Sequence, residues 1–224
     1  SIKAGNQVKV TSAIKGYENI SLTGGSIINL GDMLTTSSGT INFESAVTLS
    51  DNVTLRSGIE VEGNDIRFAN NLISEGLNDL LLNAGTRGDV IFSSTVGTIG
   101  TLEIEEANEV RAENKITVNQ LKITSGTSEL KVIETLGLGI EIISDEINFT
   151  GGTSSVSGTG SILLKSKDEN RSITIGGTRD DFDSLNLVQR DVMSFKEGFS
   201  LIEIGAVRGT GSIEIEGDVT FKSA

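Results

Sequence analysis

Apolar residues recur in short runs in which they alternate with Ser, Thr, Asn, Glu or Lys, as in Ile20-Ser-Leu22, Val47-Thr-Leu49, Val53-Thr-Leu55, Ile116-Thr-Val118 and Ile213-Glu-Ile215. A period of two places one set of side chains on a buried face and the other in water, which is the pattern of a half-buried strand. Gly, Asn, Ser and Asp separate the runs. The series predicts strands at Leu22, Ile28 to Leu30, Ile41 to Phe43, Val47 to Leu49, Val53 to Leu55, Ile59 to Val61 and Ile66 to Phe68. It continues through Leu80 to Leu82, Val90 to Phe92, Leu102 to Ile104, Ile116 to Val118, Leu121 to Ile123, Leu130 to Ile133, Ile140 to Ile143 and Ile147 to Phe149. The last strands are Ile162 to Leu164, Ile173 to Ile175, Leu185 to Leu187, Leu201 to Ile204 and Ile213 to Phe221.

Strands this short and this closely spaced fit a sandwich of hairpins poorly, because sandwich turns come roughly every 8 to 12 residues and their cores use larger aromatics. They fit an all-β chain folded as a right-handed parallel β-helix, or β-solenoid, with three short strands in each turn. At roughly twenty residues a turn, the expectation is about ten coils and, at ~4.8 Å per coil, a rod on the order of 50 Å long. Asn-rich corners such as Asn70-Asn71 and Asn119 offer amides for stacking from coil to coil.

Two segments depart from the rhythm. Residues 102–115 contain enough Glu and Ala for a helix, but the period-two runs Leu-Glu-Ile and Glu-Val-Arg-Ala-Glu favour strands. Residues 189–197 predict a short helical turn, with Val192 and Phe195 on one side and Gly198 as its C-cap.

Composition sharpens the picture. In 224 residues there is no Pro, and Pro cannot donate to a sheet ladder. Turns therefore draw on Gly, of which there are 27, and on Asn and Asp. No composition break or Pro-rich linker divides the chain, so residues 1–224 read as a single solenoid domain or a segment of a longer one. The start at Ser1 without Met suggests processing or excision. Neither a signal peptide nor an 18-residue apolar run is visible, so membrane insertion is not expected.

A net charge of −13 disfavours nucleic acid and anionic membranes as partners. With no Cys and no His there is no disulfide, no thiolate zinc site and no Ser-His-Asp or Cys-His triad. A glycan lyase or hydrolase would need paired carboxylates, or a carboxylate–metal site with a basic residue to abstract a proton, in a groove usually lined by aromatics. Asp and Glu abound, but the chain has no Trp and one Tyr, and nothing singles out a pair. The expectation is a non-enzymatic chain without a cofactor.

The run Leu185 to Ala224 (LNLVQRDVMSFKEGFSLIEIGAVRGTGSIEIEGDVTFKSA), preceded by Ile-Thr-Ile-Gly-Gly, resembles segments of large repetitive bacterial exoproteins related to filamentous haemagglutinin, of the cyanobacterial type. SLTGGSIINL and INFESAVTL upstream are similar in style. The resemblance implies a secreted, cell-surface parallel β-helix serving as an adhesin shaft or matrix component. It brings no catalytic residues.

Few residues carry candidate chemistry. Arg87-Gly88-Asp89 lies in a Gly-rich turn and matches the tripeptide that integrins read, although Asp89 also suits a strand start. Asp180, Asp181 and Asp183 could supply oxygen ligands to Ca²⁺, but they lack the nonapeptide repeat of calcium-binding β-rolls and equally suit a solvated acidic turn. Glu103, Glu105, Glu106 and Glu109 read as a wet face. Four sequons, at Asn19, Asn52, Asn148 and Asn170, are about what this composition produces by chance. The expected partners are copies of the chain stacked end to end, the continuation of a longer shaft, or a surface glycan or host receptor. Uncovered strand edges at the two ends would allow stacking, with Lys3 and Lys9 at one end facing Glu214, Glu216 and Asp218 at the other. The runner-up is a glycan-binding or glycan-processing β-helix.

Overall fold

The computed structural model describes residues 1–179 and 183–221. The first turn is built from β1 (Ile2–Ala4), β2 (Gln7–Val10) and β3 (Ile14–Gly16), and the second from β4 (Ile20–Gly24), β5 (Ile27–Leu30) and β6 (Leu34–Thr36). The third holds β7 (Ile41–Phe43), β8 (Val47–Leu49) and β9 (Val53–Arg56), and the fourth β10 (Ile66–Phe68), β11 (Leu72–Ser74) and β12 (Leu80–Asn83). There follow β13 (Val90–Phe92), β14 (Val96–Phe149), β15 (Val156–Ser157), β16 (Ser161–Lys165), β17 (Ser172–Gly176), β18 (Ser184–Leu187), α1 (Gln189–Ser194), β19 (Leu201–Ile204) and β20 (Ile213–Glu216).

In the first turns each strand pairs in parallel with the strand three places on, β1 with β4, β2 with β5 and β3 with β6, so the chain winds as a β-solenoid with three faces. β14 pairs with β11, β12 and β13 in turn, so it bends round all three faces, with one register shift against β12 between Leu82 and Asn83. Residues 102–115 are strand within it, as the alternation predicts.

There are about seven turns rather than ten. The turns are longer than twenty residues where the chain makes excursions. Ile41 pairs with Ile66, Val53 with Leu80 and Ile162 with Ile202, so the turns there consume 25, 27 and 40 residues. Seven turns at the ~4.8 Å strand spacing give a stack about 34 Å tall.

The interior is one continuous column of Ile, Leu, Val and Phe. Register stacks like on like: Phe43 pairs with Phe68 and Phe68 with Phe92, their rings 4.7 and 5.3 Å apart and nearly parallel. The column then narrows, because Phe92 meets Ala112. A polar layer is buried further along the stack. Ser125, Ser128 and Ser144 have no exposed surface and bond to one another at 2.8 to 3.1 Å, which meets the requirement that buried hydroxyls find partners.

Three local expectations are corrected. Ile59 to Val61 is a turn, not a strand: Ile59 is 61% and Val61 42% exposed, and the backbone reverses at Gly58, Glu62 and Gly63 with positive φ. The helix spans Gln189–Ser194 and ends at Phe195, so Gly198 is not its C-cap. Gly198 instead adopts φ +127°, where a Cβ would come within 2.9 Å of Gly158 O. The strand expected over 213–221 stops at Glu216.

The 40-residue last turn carries an inserted strand. β18 runs parallel to β17 on the side away from β20, and all four of its residues are buried. α1 follows directly and sends Asp191 inward, where Oδ1 accepts the backbone N–H of Phe149 at 2.9 Å. A side chain thus replaces the carbonyl that a neighbouring strand would supply.

Candidate functional site

At both ends, strands pair on one side only among the described residues. β1, β2 and β3 pair with β4, β5 and β6 alone; β19 pairs only with β16, and β20 only with β17. Such edges carry backbone N–H and C=O groups that can template another strand. The apolar side chains of the end strands are correspondingly open, with Ile213 54% and Ile215 65% exposed, and Ile2 exposed at the other end.

Charge differs between the ends. Residues 1–16 contain Lys3, Lys9 and Lys15 and no acid. These lie on β1, β2 and β3, one on each face, and all three are exposed. Residues 201–218 contain Glu203, Glu214, Glu216 and Asp218 against one Arg, Arg208. Glu203 and Glu214 occupy exposed positions of β19 and β20.

On the flank, the excursion after β9 builds a cleft of about 510 Å³ lined by Arg56, Ile59, Glu62, Asn83, Thr86 and Glu106. Its floor is backbone against backbone. A Cβ on Gly63, at φ +111°, would lie 1.8 Å from Ala84 O, so only glycine permits this approach. Arg56 pairs with Glu105 at 2.8 Å, and Lys167 reaches Glu106 at 2.6 Å. A second groove of about 400 Å³ crosses successive turns at Glu103, Glu105, Lys122, Thr124 and Glu141. Of the Glu103, Glu105, Glu106 and Glu109 run, all half-buried, Glu103 and Glu105 line this groove, Glu106 lines the first cleft, and Glu109 lies beside Arg111 at 3.8 Å.

The tripeptide residues serve the coil corner. Arg87 Nε lies 2.7 Å from Glu62 Oε2, and both side chains are largely exposed. Gly88 is buried; a Cβ there would meet Asn64 O at 2.2 Å. Asp89 donates its N–H to Asp65 Oδ1 and accepts Asn108 Nδ2 on its own Oδ1, each at 2.9 Å. Of the calcium candidates, Asp180 and Asp181 lie outside the described residues and Asp183 is exposed. Among the described residues no group of three or more Asp or Glu is placed to hold a metal ion.

At Asn70 and Asn71 the corner amides act differently from a stacked ladder. Asn70 Nδ2 donates to Glu44 O, and Asn71 Oδ1 accepts the hydroxyls of Ser94 and Thr95. The sequon residues are also engaged: Asn19 Oδ1 accepts Thr40 N, Asn52 Oδ1 accepts Asp79 N, Asn148 Oδ1 accepts Arg190 and Asn170 Oδ1 accepts the Thr210 hydroxyl. Asn19 and Asn52 thus cap the backbone of the next turn, and Asn70 that of the turn before. Sequence pattern alone does not reveal this, because it depends on the register between turns.

A hydrogen bond from Lys115, 2.7 Å away, together with its charge and that of Lys196, holds the Glu134 carboxyl below the usual glutamate value. No helix among the described residues is long and apolar enough to cross a membrane.

No family model matches the chain, and no curated protein or solved structure matches it.

Proposed function

We propose that this chain is a non-enzymatic, extracellular structural element, a shaft that grows by adding turns along its axis and serves cell-surface adhesion or matrix. The observation that carries the reading is the parallel ladder repeated turn upon turn from β1 to β19 over one continuous apolar column. Solenoid stability is close to a sum of nearest-neighbour terms, so each added turn buries the previous edge without disturbing the rest. The resemblance of residues 185–224 to filamentous-haemagglutinin-like exoproteins supports the cell-surface setting. Partners at the flanks would be a surface glycan or a host receptor.

A second reading, a glycan-binding face, draws on the groove at Glu103, Lys122 and Glu141, where acceptors and a donor repeat from turn to turn. It lacks stacking aromatics: the chain has no Trp, and its one Tyr, Tyr17, lies elsewhere.

Electron microscopy of two copies fused head to tail in one polypeptide tests the shaft reading. A single straight rod of doubled length is expected. Two particles joined by a flexible link would count against it.

A further inference from the structure

We infer that the face carrying β9, β12, β16 and β19 holds a linear, uncharged polysaccharide lengthwise along the solenoid axis, with Glu103, Lys122 and Glu141 as its central contacts. This deepens the glycan-binding reading of the groove at those residues and rests on it.

Three hollows lie end to end on that face. The cleft of about 510 Å³ at Arg56 and Asn83 adjoins the groove of about 400 Å³, because Glu105 of the groove takes both the Arg56 ion pair and a hydrogen bond from the Asn83 amide. A third hollow of about 290 Å³, at Leu163, Lys165, Glu203 and Arg208, continues the run on the other side. Leu163 joins the two, pairing in register with Glu141 on one edge and Glu203 on the other. From β9 to β19 the run is roughly 30 Å long at ~4.8 Å a strand.

Both signs of charge recur along it, and several are neutralised within the protein. Arg56 pairs with Glu105 at 2.8 Å, Lys167 with Glu106 at 2.6 Å and Lys165 with Glu169 at 3.5 Å. In the middle, Glu103, Lys122 and Glu141 are half-buried and make no hydrogen bond or ion pair among the described residues. An acid, a base and an acid are thus left for a ligand.

A polyanion would lie against Glu103, Glu141 and Glu203, and a polycation against Lys122 and Arg208, so charge favours neither. A hydroxyl group suits both kinds of neighbour, since it donates to a carboxylate and accepts from an ammonium. A chain that carries hydroxyls along its length and no charge therefore matches the row. An extended peptide fits less well: β12 pairs with both β9 and β14, and β16 with both β14 and β19, so no strand edge opens here for it to join. Without stacking aromatics, affinity comes from many hydroxyl contacts and grows with the length of the chain.

Isothermal titration tests this, with hydroxyethyl cellulose, pullulan and a linear mannan as uncharged probes and heparin and polylysine as charged ones. At least one uncharged polymer is expected to bind, more tightly than its own short oligosaccharides and more tightly than either charged polymer. A Glu103→Ala, Lys122→Ala, Glu141→Ala variant is expected to bind it at least about tenfold more weakly. Lys9→Ala, on β2 of another face, should bind as the wild type does. Should the triple variant misfold, Lys122→Met, which keeps the aliphatic stem, replaces it, with weaker binding again expected. Tighter binding of heparin or polylysine, or an affinity that does not rise with chain length, would overturn the inference. A folded triple variant that binds like the wild type would overturn it while leaving a glycan site elsewhere. If none of the polysaccharides binds, the glycan-binding reading fails with it.

Discussion

The Phe68 ring lies between those of Phe43 and Phe92, 4.7 Å from the first and 5.3 Å from the second, with interplanar angles of 10° and 15°. Strict register between turns makes this possible, since Phe43, Phe68 and Phe92 are direct ladder partners.

Phe68→Ala should therefore remove contacts from two neighbouring turns at once and cost about 3–5 kcal/mol, with Phe68→Leu costing clearly less. Guanidinium titration followed by circular dichroism measures the difference. An alanine variant as stable as the leucine variant would show that the stack contributes little.

Asp191 reaches from α1 to the backbone N–H of Phe149. Asp191→Ala leaves that buried donor without its acceptor and is expected to cost about 1–3 kcal/mol, while Asp191→Asn, which keeps an acceptor oxygen, should cost less. Thermal melting gives the stability, and hydrogen exchange at the Phe149 amide reports the bond itself. Unchanged exchange in the alanine variant would contradict the assignment.

The cleft floor depends on Gly63. Its φ of +111°, and an Ala84 O only 1.8 Å from where a Cβ would sit, predict that Gly63→Ala destabilises the fold. The expected loss is about 1–3 kcal/mol. Gly76, with nothing within 4 Å of its Cβ position, is the control. There the same change should be neutral or stabilise by about 0.4–1 kcal/mol through the unfolded chain. Chemical denaturation of both variants makes the comparison, and equal effects at the two sites would contradict the packing described.

Glu134 has a folded-state pKa below its unfolded value because Lys115 favours the carboxylate. Its contribution to stability is therefore complete above the unfolded value and fades as pH falls through the folded one. Both partners are substantially exposed, so the effect is small and salt-sensitive. Melting temperatures of wild type and Glu134→Gln should converge as the carboxyl protonates on acidification from neutral pH, and a constant gap would refute the pairing.

The strand positions and the solenoid were legible because inward residues repeat every second position whatever lies between the runs. Ile59-Glu-Val61 shows the limit of that signal: its alternation is the same as a strand's, yet Gly58 and Gly63 on either side, both at positive φ, make it a turn. The 40-residue last turn, with β18 laid beside β17, was not legible, since nothing local to Ser184–Leu187 tells which turn it joins. The serine cluster was hidden for the same reason. Ser125 and Ser144 are 19 residues apart and meet only through the register. On the outermost described strands, Lys3, Lys9, Glu214, Glu216 and Asp218 could be read directly, whereas the exposed positions of Lys15 on β3 and Glu203 on β19 required the strand pairing.

The most direct test of the shaft is small-angle X-ray scattering on the single chain and on the tandem fusion. An axial solenoid predicts that the maximum dimension about doubles, from about seven turns to about fourteen at ~4.8 Å each, while the cross-sectional radius stays the same. A cross-section that grows, or a profile of two independent bodies on a tether, would contradict it.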